Sequence, residues 1–280
     1  MRMLLALVLL FVSATCGAQA RPATAGKTVH VLAPPLAMPR LGRDRTIRVY
    51  LPPSYGTGRQ RYRVLYMHDG QNLFDDATSY VGEWGVDEAM DALATSDGIE
   101  LIVVGIDHGN DKRMSELRPY AHPRFGPAEG DQYLDFVVRV VKPFIDKTYR
   151  TRAGRKDTGI MGSSLGGLMS HYALLKYPKV FSRVGIFSPS YWIADAIYPA
   201  TEAMKLPRDT RIFLVVGDDE GEEEGDSIKT VDRVRQMQAL LQRSQGKRIT
   251  LTTTVRAGAK HNEAAWRREF PDAIRFLFAR

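Results

Sequence analysis

The stretch Gly162-Ser163-Ser164-Leu165-Gly166, followed by Gly167, constrains this chain more than any other. An apolar run over residues 158–161 leads into it, and a helical pattern over residues 165–177 leads out. The serine therefore sits on a sharp turn between a strand and a helix. A Gly-x-Ser-x-Gly in that setting is a nucleophile elbow, in which a strained backbone lifts the serine oxygen above the edge of a sheet. Side chains two residues before and two after the serine would crowd the turn, so both positions ask for glycine. Gly162 and Gly166 meet that demand around Ser164 and not around Ser163, which makes Ser164 the candidate nucleophile.

A strand that feeds such an elbow needs neighbours, and the rest of the chain supplies them. Residues 46–51 alternate and end at Pro52-Pro53, residues 62–67 form a second strand, and residues 101–106 are a continuous apolar run of the kind buried on both faces. Further strands read at 184–187, 211–217 and 249–255. Helical spacing marks residues 86–93, 131–149, 228–242 and 262–278, with Pro143 expected to kink the second of these. Strands alternating with helices predict an α/β fold with a mainly parallel central sheet flanked by helices. The first two strands have no helix between them and are expected to be antiparallel. Residues 107–130 read as a long loop, and no repeat or second domain is visible, so residues 45–280 are taken as one catalytic domain.

The N-terminus reads as a targeting segment. Arg2 gives a positive start, residues 4–12 are apolar but too short to span a bilayer, and Ala18-Gln19-Ala20 fits a signal-peptidase site. Residues 1–20 are thus a predicted signal peptide, the mature chain begins near Arg21, and the protein is expected in the periplasm or the medium without stable membrane insertion. Cleavage there removes Cys16, the only cysteine, for which lipidation is the alternative fate. Residues 21–44, rich in Ala, Pro and Arg, read as an exposed leader. The net charge of +7 invites a nucleic-acid reading, but Lys and Arg are scattered among Asp and Glu, so no nucleic-acid partner is expected.

A serine hydroxyl is a weak nucleophile and needs a base, an acid that orients the base, and donors for an oxyanion. In hydrolases built on such an elbow the chain order is serine, acid, histidine, each just past the carboxyl end of a strand. His261, beyond the last strand, is the one histidine that follows the elbow outside a helix; His171 falls within the elbow helix, facing core or solvent. The acid lies after the 211–217 strand, where Asp218, Asp219 and Glu220 all qualify, and the residues alone do not choose between them. Leu165, at the start of the elbow helix, offers one oxyanion N–H. The turn His68-Asp69-Gly70-Gln71-Asn72 follows an early strand and offers the second through Gln71.

With these residues assembled, the chain resembles the esterase D-like branch of the α/β-hydrolases, which includes ferric-enterobactin esterases, feruloyl esterase domains and mycolyltransferases. The resemblance runs from about Val49 to Leu277. Its carriers include the stretches 65–74, Trp84-Gly85-Val86-Asp87-Glu88, Lys142-Pro143-Phe144-Ile145-Asp146, Phe187-Ser188-Pro189-Ser190-Tyr191-Trp192 and residues 261–266, besides the elbow itself. It implies a single hydrolase domain without a large lid, a serine esterase with nucleophile Ser164 and base His261, and oxyanion donors at Gln71 and Leu165. Members tend to carry the acid three residues after the glycine closing its strand, here Gly217, which favours Glu220. The implied activity is that of an exported carboxylic ester hydrolase close to the siderophore-esterase type, acting on a small-molecule or glycan-linked ester. Acyl transfer to a sugar acceptor and non-catalytic ligand binding on the same fold are the alternatives. Trp84, Tyr191 and Trp192 are candidates for lining a substrate pocket, or core and rim residues. Arg113 and Arg118 read as surface residues, with contact to an anionic substrate as the alternative. No metal cluster, nucleotide loop or cofactor motif is read, so no metal and no cofactor are expected.

Overall fold

The computed structural model describes residues 21–221 and 226–279. The segment read as a signal peptide, Cys16 included, lies outside the described residues. Four short strands come first: β1 (Val29–Val31), β2 (Leu36–Met38), β3 (Arg43–Arg45) and β4 (Ile47–Tyr50). After β5 (Arg63–His68) the chain alternates: α1 (Val86–Asp97), β6 (Leu101–Ile106), α2 (Arg113–Glu116), α3 (Gly130–Phe136), α4 (Lys142–Thr148), β7 (Thr158–Ser163), α5 (Leu165–Lys176), β8 (Arg183–Phe187), α6 (Ile197–Ala203), β9 (Thr210–Gly217), α7 (Asp226–Gln245), β10 (Ile249–Arg256) and α8 (Glu263–Phe278). Eight strands make one sheet in the order β1-β4-β6-β5-β7-β8-β9-β10, parallel from β6 to β10, while β2 and β3 form a separate ribbon. β4 runs antiparallel to β6, so β4 and β5 do run in opposite directions, with β6 between them.

The period of two along each strand sorts side chains onto two faces. Val64 and Tyr66 of β5 join the core beneath α3 to α7, whereas Leu65 and Met67 join the core beneath α1 and α8. Because helices cover both faces, β5 to β9 are buried almost throughout, as parallel strands must be. The edge strand β10 is half-buried and rich in threonine. The apolar mass that these layers withdraw from water is the main source of stability in a fold of this kind.

Two expectations are corrected. Residues 21–44 are largely exposed, yet they are no free leader: Val29–Val31 pairs antiparallel with β4 and extends the sheet. Pro143 does not kink a regular helix. Proline lacks an N–H and its ring presses on the carbonyl four residues back. The chain accommodates it by widening to a π-helical segment, Val137–Val141, between α3 and α4. Among the described residues no helix is long and apolar enough to cross a membrane.

Candidate active site

The carboxyl ends of β5, β6, β7, β8, β9 and β10 share one edge of the sheet, and six loops gather there. At the end of β7, Ser164 has φ 58° and ψ −121°, a conformation that costs a non-glycine residue roughly 1–3 kcal/mol. Its neighbours make room for it. A Cβ on Gly162 would lie 2.9 Å from the Gly166 carbonyl carbon and from His68 Cδ2, and one on Gly167 would lie 2.6 Å from the Phe187 carbonyl oxygen. That same carbonyl accepts the Ser164 N–H at 2.9 Å. The elbow is therefore clamped onto β8, and Gly167 matters as much as the two glycines of the motif. Ser164 Oγ shares a 3.2 Å hydrogen bond with Ser190 Oγ. As the first residue of α5, Leu165 has a backbone N–H that no helical carbonyl takes up.

Gln71 lies in a 3₁₀ turn, Gly70–Asn72, at the end of β5. The turn is closed by Asn72 N–H to the Asp69 carbonyl and Leu73 N–H to that of Gly70, which leaves the Gln71 N–H outside it. Several contacts fix its position. Asp69 stands in the left-handed region at φ 57° and accepts a fork from Arg113, at 2.7 and 2.9 Å. The guanidinium holds the Asp69 carboxyl below its ordinary range against the opposing effect of burial. A Cβ on Gly70 would fall 2.7 Å from Asp107 Oδ1 and from the Gly105 carbonyl carbon. The side-chain oxygen of Gln71 accepts the His108 N–H at 3.0 Å. His68, buried beneath the elbow with Nδ1 2.7 Å from the Tyr133 hydroxyl, is pushed down to about 4 by burial and stays neutral.

His261 follows β10, and its Nδ1 is 3.0 Å from Glu220 Oε2, which comes from the loop after β9. An ionised carboxylate only accepts, so the hydrogen of this bond belongs to Nδ1 and Nε2 is left as the free acceptor. The glutamate is almost fully buried, at 2% side-chain exposure against 35% for the imidazole. Its other oxygen accepts the Gly217 N–H at 2.6 Å and the Ser188 hydroxyl. Ser188, itself at φ 43°, also accepts the Trp266 indole N–H at 2.9 Å, and the Trp266 ring meets His261 edge-on at 5.1 Å. Asp218 and Asp219 are exposed. Asp218 Oδ1 instead accepts the Gly258 N–H at 2.6 Å and ties the β9 and β10 loops together.

The aromatic and cationic candidates are redistributed. Trp84, 3% exposed, packs against Phe187, Trp266 and Phe270, and Tyr191 is fully buried with its hydroxyl 2.9 Å from His171 Nδ1. Their burial favours the core reading of the two that the sequence left open. Trp192 is 51% exposed and meets Phe125 edge-on, two residues along the chain from Ser190. Arg118 is no surface residue. It is fully buried, and its guanidinium donates to the carbonyls of Met114, Tyr120, Phe125, Gly126 and Pro127. Arg113 is engaged by Asp69 rather than free for an anion.

Residues 38–277 match the family described as "Putative esterase". The chain belongs to that family. It is an ester hydrolase on an α/β-hydrolase fold. YbbA of Bacillus subtilis, an uncharacterized protein, is 27% identical over 247 residues, covering 85% of this chain and 94% of that protein. The iron(III) salmochelin esterase of Escherichia coli O6:H1 is 26% identical over 252 residues, covering 84% of this chain and 55% of that protein. Among solved structures, an IroE-like serine hydrolase from Shewanella oneidensis superposes with a TM-score of 0.74 at 20% identity, covering 89% and 79% of the two chains, and so shares the fold.

In this esterase a polar cleft of about 590 Å³ opens beside Gln71, lined also by Arg48, Thr78, Asp107 and His108. A larger one of about 700 Å³, lined by residues such as Arg61, Asp97 and Arg275, lies at the opposite ends of the strands, away from every candidate residue. Size does not mark the site here; the convergence of the six loops does. Sequence reasoning missed Ser188, Ser190 and the Asp69–Arg113 pair. The first two sit inside a quoted stretch, 187–192, but nothing in the spacing announces that one serine faces Glu220 and the other Ser164.

Proposed function

We propose that the esterase works through a Ser164–His261–Glu220 triad and an acyl-enzyme. Ser164 Oγ attacks the ester carbonyl while His261 Nε2 takes its proton. Glu220 holds the imidazole by its Nδ1–H and stabilises the imidazolium that forms. The N–H groups of Gln71 and Leu165 receive the oxyanion, a preorganised pair of dipoles at the point where charge develops. The protonated base then gives its proton to the departing alcohol, and water repeats the sequence to release the acid. The observation that carries this reading is the buried Glu220 fixing the His261 tautomer at the same strand edge as the elbow. Ser164 Oγ and His261 are not hydrogen-bonded to each other in the free enzyme, a contact that commonly tightens only with substrate bound.

For the substrate we propose a siderophore-type ester, supported by the sequence similarity to the salmochelin esterase and by the polar cleft beside Gln71. The exposed Trp192 with its neighbour Phe125 offers a flat surface for an aromatic acyl group. Purified enzyme should turn over a catecholate trilactone with at least tenfold higher kcat/KM than a feruloyl sugar or a short-chain nitrophenyl ester, read by chromatography of the released acids. Turnover of the simple esters with an intact trilactone would remove the siderophore assignment and leave the triad standing. We also propose export through the segment 1–20. N-terminal sequencing of the exported protein should begin at or near Arg21, whereas a lipid-bearing start at Cys16 would place the enzyme on a membrane.

A further inference from the structure

Glu83, Asp87 and Glu88, around the first turn of α1, each bring a carboxylate oxygen within 4.8 Å of the other two. Glu83 and Asp87 are 8% and 2% exposed, and Glu88 is open to solvent. One oxygen of each buried acid is engaged: Glu83 Oε1 accepts the Thr24 hydroxyl at 2.8 Å and Asp87 Oδ2 accepts the Gly26 N–H at 2.8 Å. The other two, Glu83 Oε2 and Asp87 Oδ1, are closed off from solvent with no hydrogen-bond partner. Among the described residues no basic side chain forms an ion pair with any of the three. The Arg267 guanidinium lies over the backbone of Gly85, 2.5 Å from where a Cβ would stand, and acts on Glu83 only through its field. Two buried carboxylate oxygens without donors, in a cluster with a third acid, call for a compensating positive charge.

We propose that Glu83, Asp87 and Glu88 hold a calcium ion that fastens residues 24–26 to the start of α1. The donors are all hard oxygens, as calcium prefers, and calcium tolerates the irregular, partly hydrated shell that three carboxylates around one turn can offer, whereas magnesium demands near-ideal octahedral geometry. The exposed side of Glu88 leaves room for waters to complete the shell. The ion would also act on the candidate site from behind. Residues 24–26 bind Asp75 and Asp76 as well, and the 75–84 stretch returns to Asn72, whose carbonyl accepts the Trp84 N–H at 2.8 Å and whose side chain accepts the Tyr80 N–H at 3.2 Å. Asn72 is the residue after the Gln71 N–H donor.

The test uses the full mature chain stripped with EGTA. Calcium at about a hundred times its Kd should raise Tm by about 5 °C. Terbium, a calcium surrogate, should give emission when tryptophan is excited, because Trp84 adjoins Glu83 in the chain, and calcium should quench it by displacement. Glu83→Gln with Asp87→Asn keeps both acceptors for Thr24 and Gly26 and should abolish both responses. A wild-type protein with no calcium shift and no terbium emission overturns the site, as does a response undiminished in the double variant. A shift with magnesium or manganese but not calcium overturns the choice of ion. The terbium readout is made on the wild type, so it decides the matter even where the double variant does not fold.

Discussion

Ser164→Ala is expected to lower ester turnover by on the order of 10^4 or more while the fold persists. The hydroxyl is the only atom lost. Its 3.2 Å bond to Ser190 Oγ goes with it, a contribution to stability of about 1 kcal/mol. The strained backbone of the elbow stays, because the hydrogen bond from the Ser164 N–H to the Phe187 carbonyl does not involve the side chain. The loss should therefore appear in kcat on a short-chain nitrophenyl ester, with an unchanged circular dichroism spectrum. Ser190 is the natural control. Its hydroxyl shares the hydrogen bond with Ser164 Oγ, and Ser190→Ala should retain most of the activity. Near-wild-type turnover by Ser164→Ala together with loss in Ser190→Ala would move the nucleophile to Ser190.

The second large effect belongs to the acid. Glu220→Gln should reduce turnover by roughly 10^2 to 10^4, whereas Asp218→Asn and Asp219→Asn should stay within a few-fold of wild type. The glutamine amide fits the same space and can still accept from the Gly217 N–H or the Ser188 hydroxyl. It brings no negative charge to an imidazolium, and its NH2 group presented to His261 would favour the wrong tautomer. Asp218 is in the opposite position: water screens its exposed charge, and asparagine preserves the oxygen that receives the Gly258 N–H. Turnover of the three single variants, with thermal unfolding as a folding control, separates these roles. A large loss confined to Asp218→Asn would transfer the acid's role to that residue. Three near-wild-type rates would mean that Ser164 and His261 work without a carboxylate from this loop.

The parts of the fold that could be read in the sequence are those whose physics is local. Residues 101–106 are a continuous apolar run because both faces of β6 are covered, and residues 158–167 show their elbow because the glycines answer a steric demand within ten residues. The parts that could not be read depend on partners far away in the chain. β1 is three residues long and becomes a strand only because β4 is beside it. Glu220 is distinguished from Asp218 only where two loops approach closely: a Cβ on Gly217 would fall 2.0 Å from the Ala259 carbonyl oxygen, Glu220 meets His261 and Asp218 meets Gly258. Trp84 and Tyr191 sit between polar and turn-forming residues that suggest a loop facing solvent, and only the packing of α8 and α5 reveals them as core. Arg118 reads as a surface charge because arginine almost always is one.

The cage around Arg118 has a consequence for how this enzyme's rim can change. The guanidinium grips residues 120–127 through four hydrogen bonds to main-chain carbonyls, with the Phe125 ring 6.0 Å away as an added side-chain contact. The contour of that segment is thus written in atoms that every amino acid shares. Tyr120, His122, Arg124 and Phe125 can be exchanged without cutting any of those bonds. The rim beside Trp192 is in effect an interchangeable faceplate on a fixed bracket. A combinatorial library confined to these four positions, with Arg118 kept, should therefore leave the path of this segment intact.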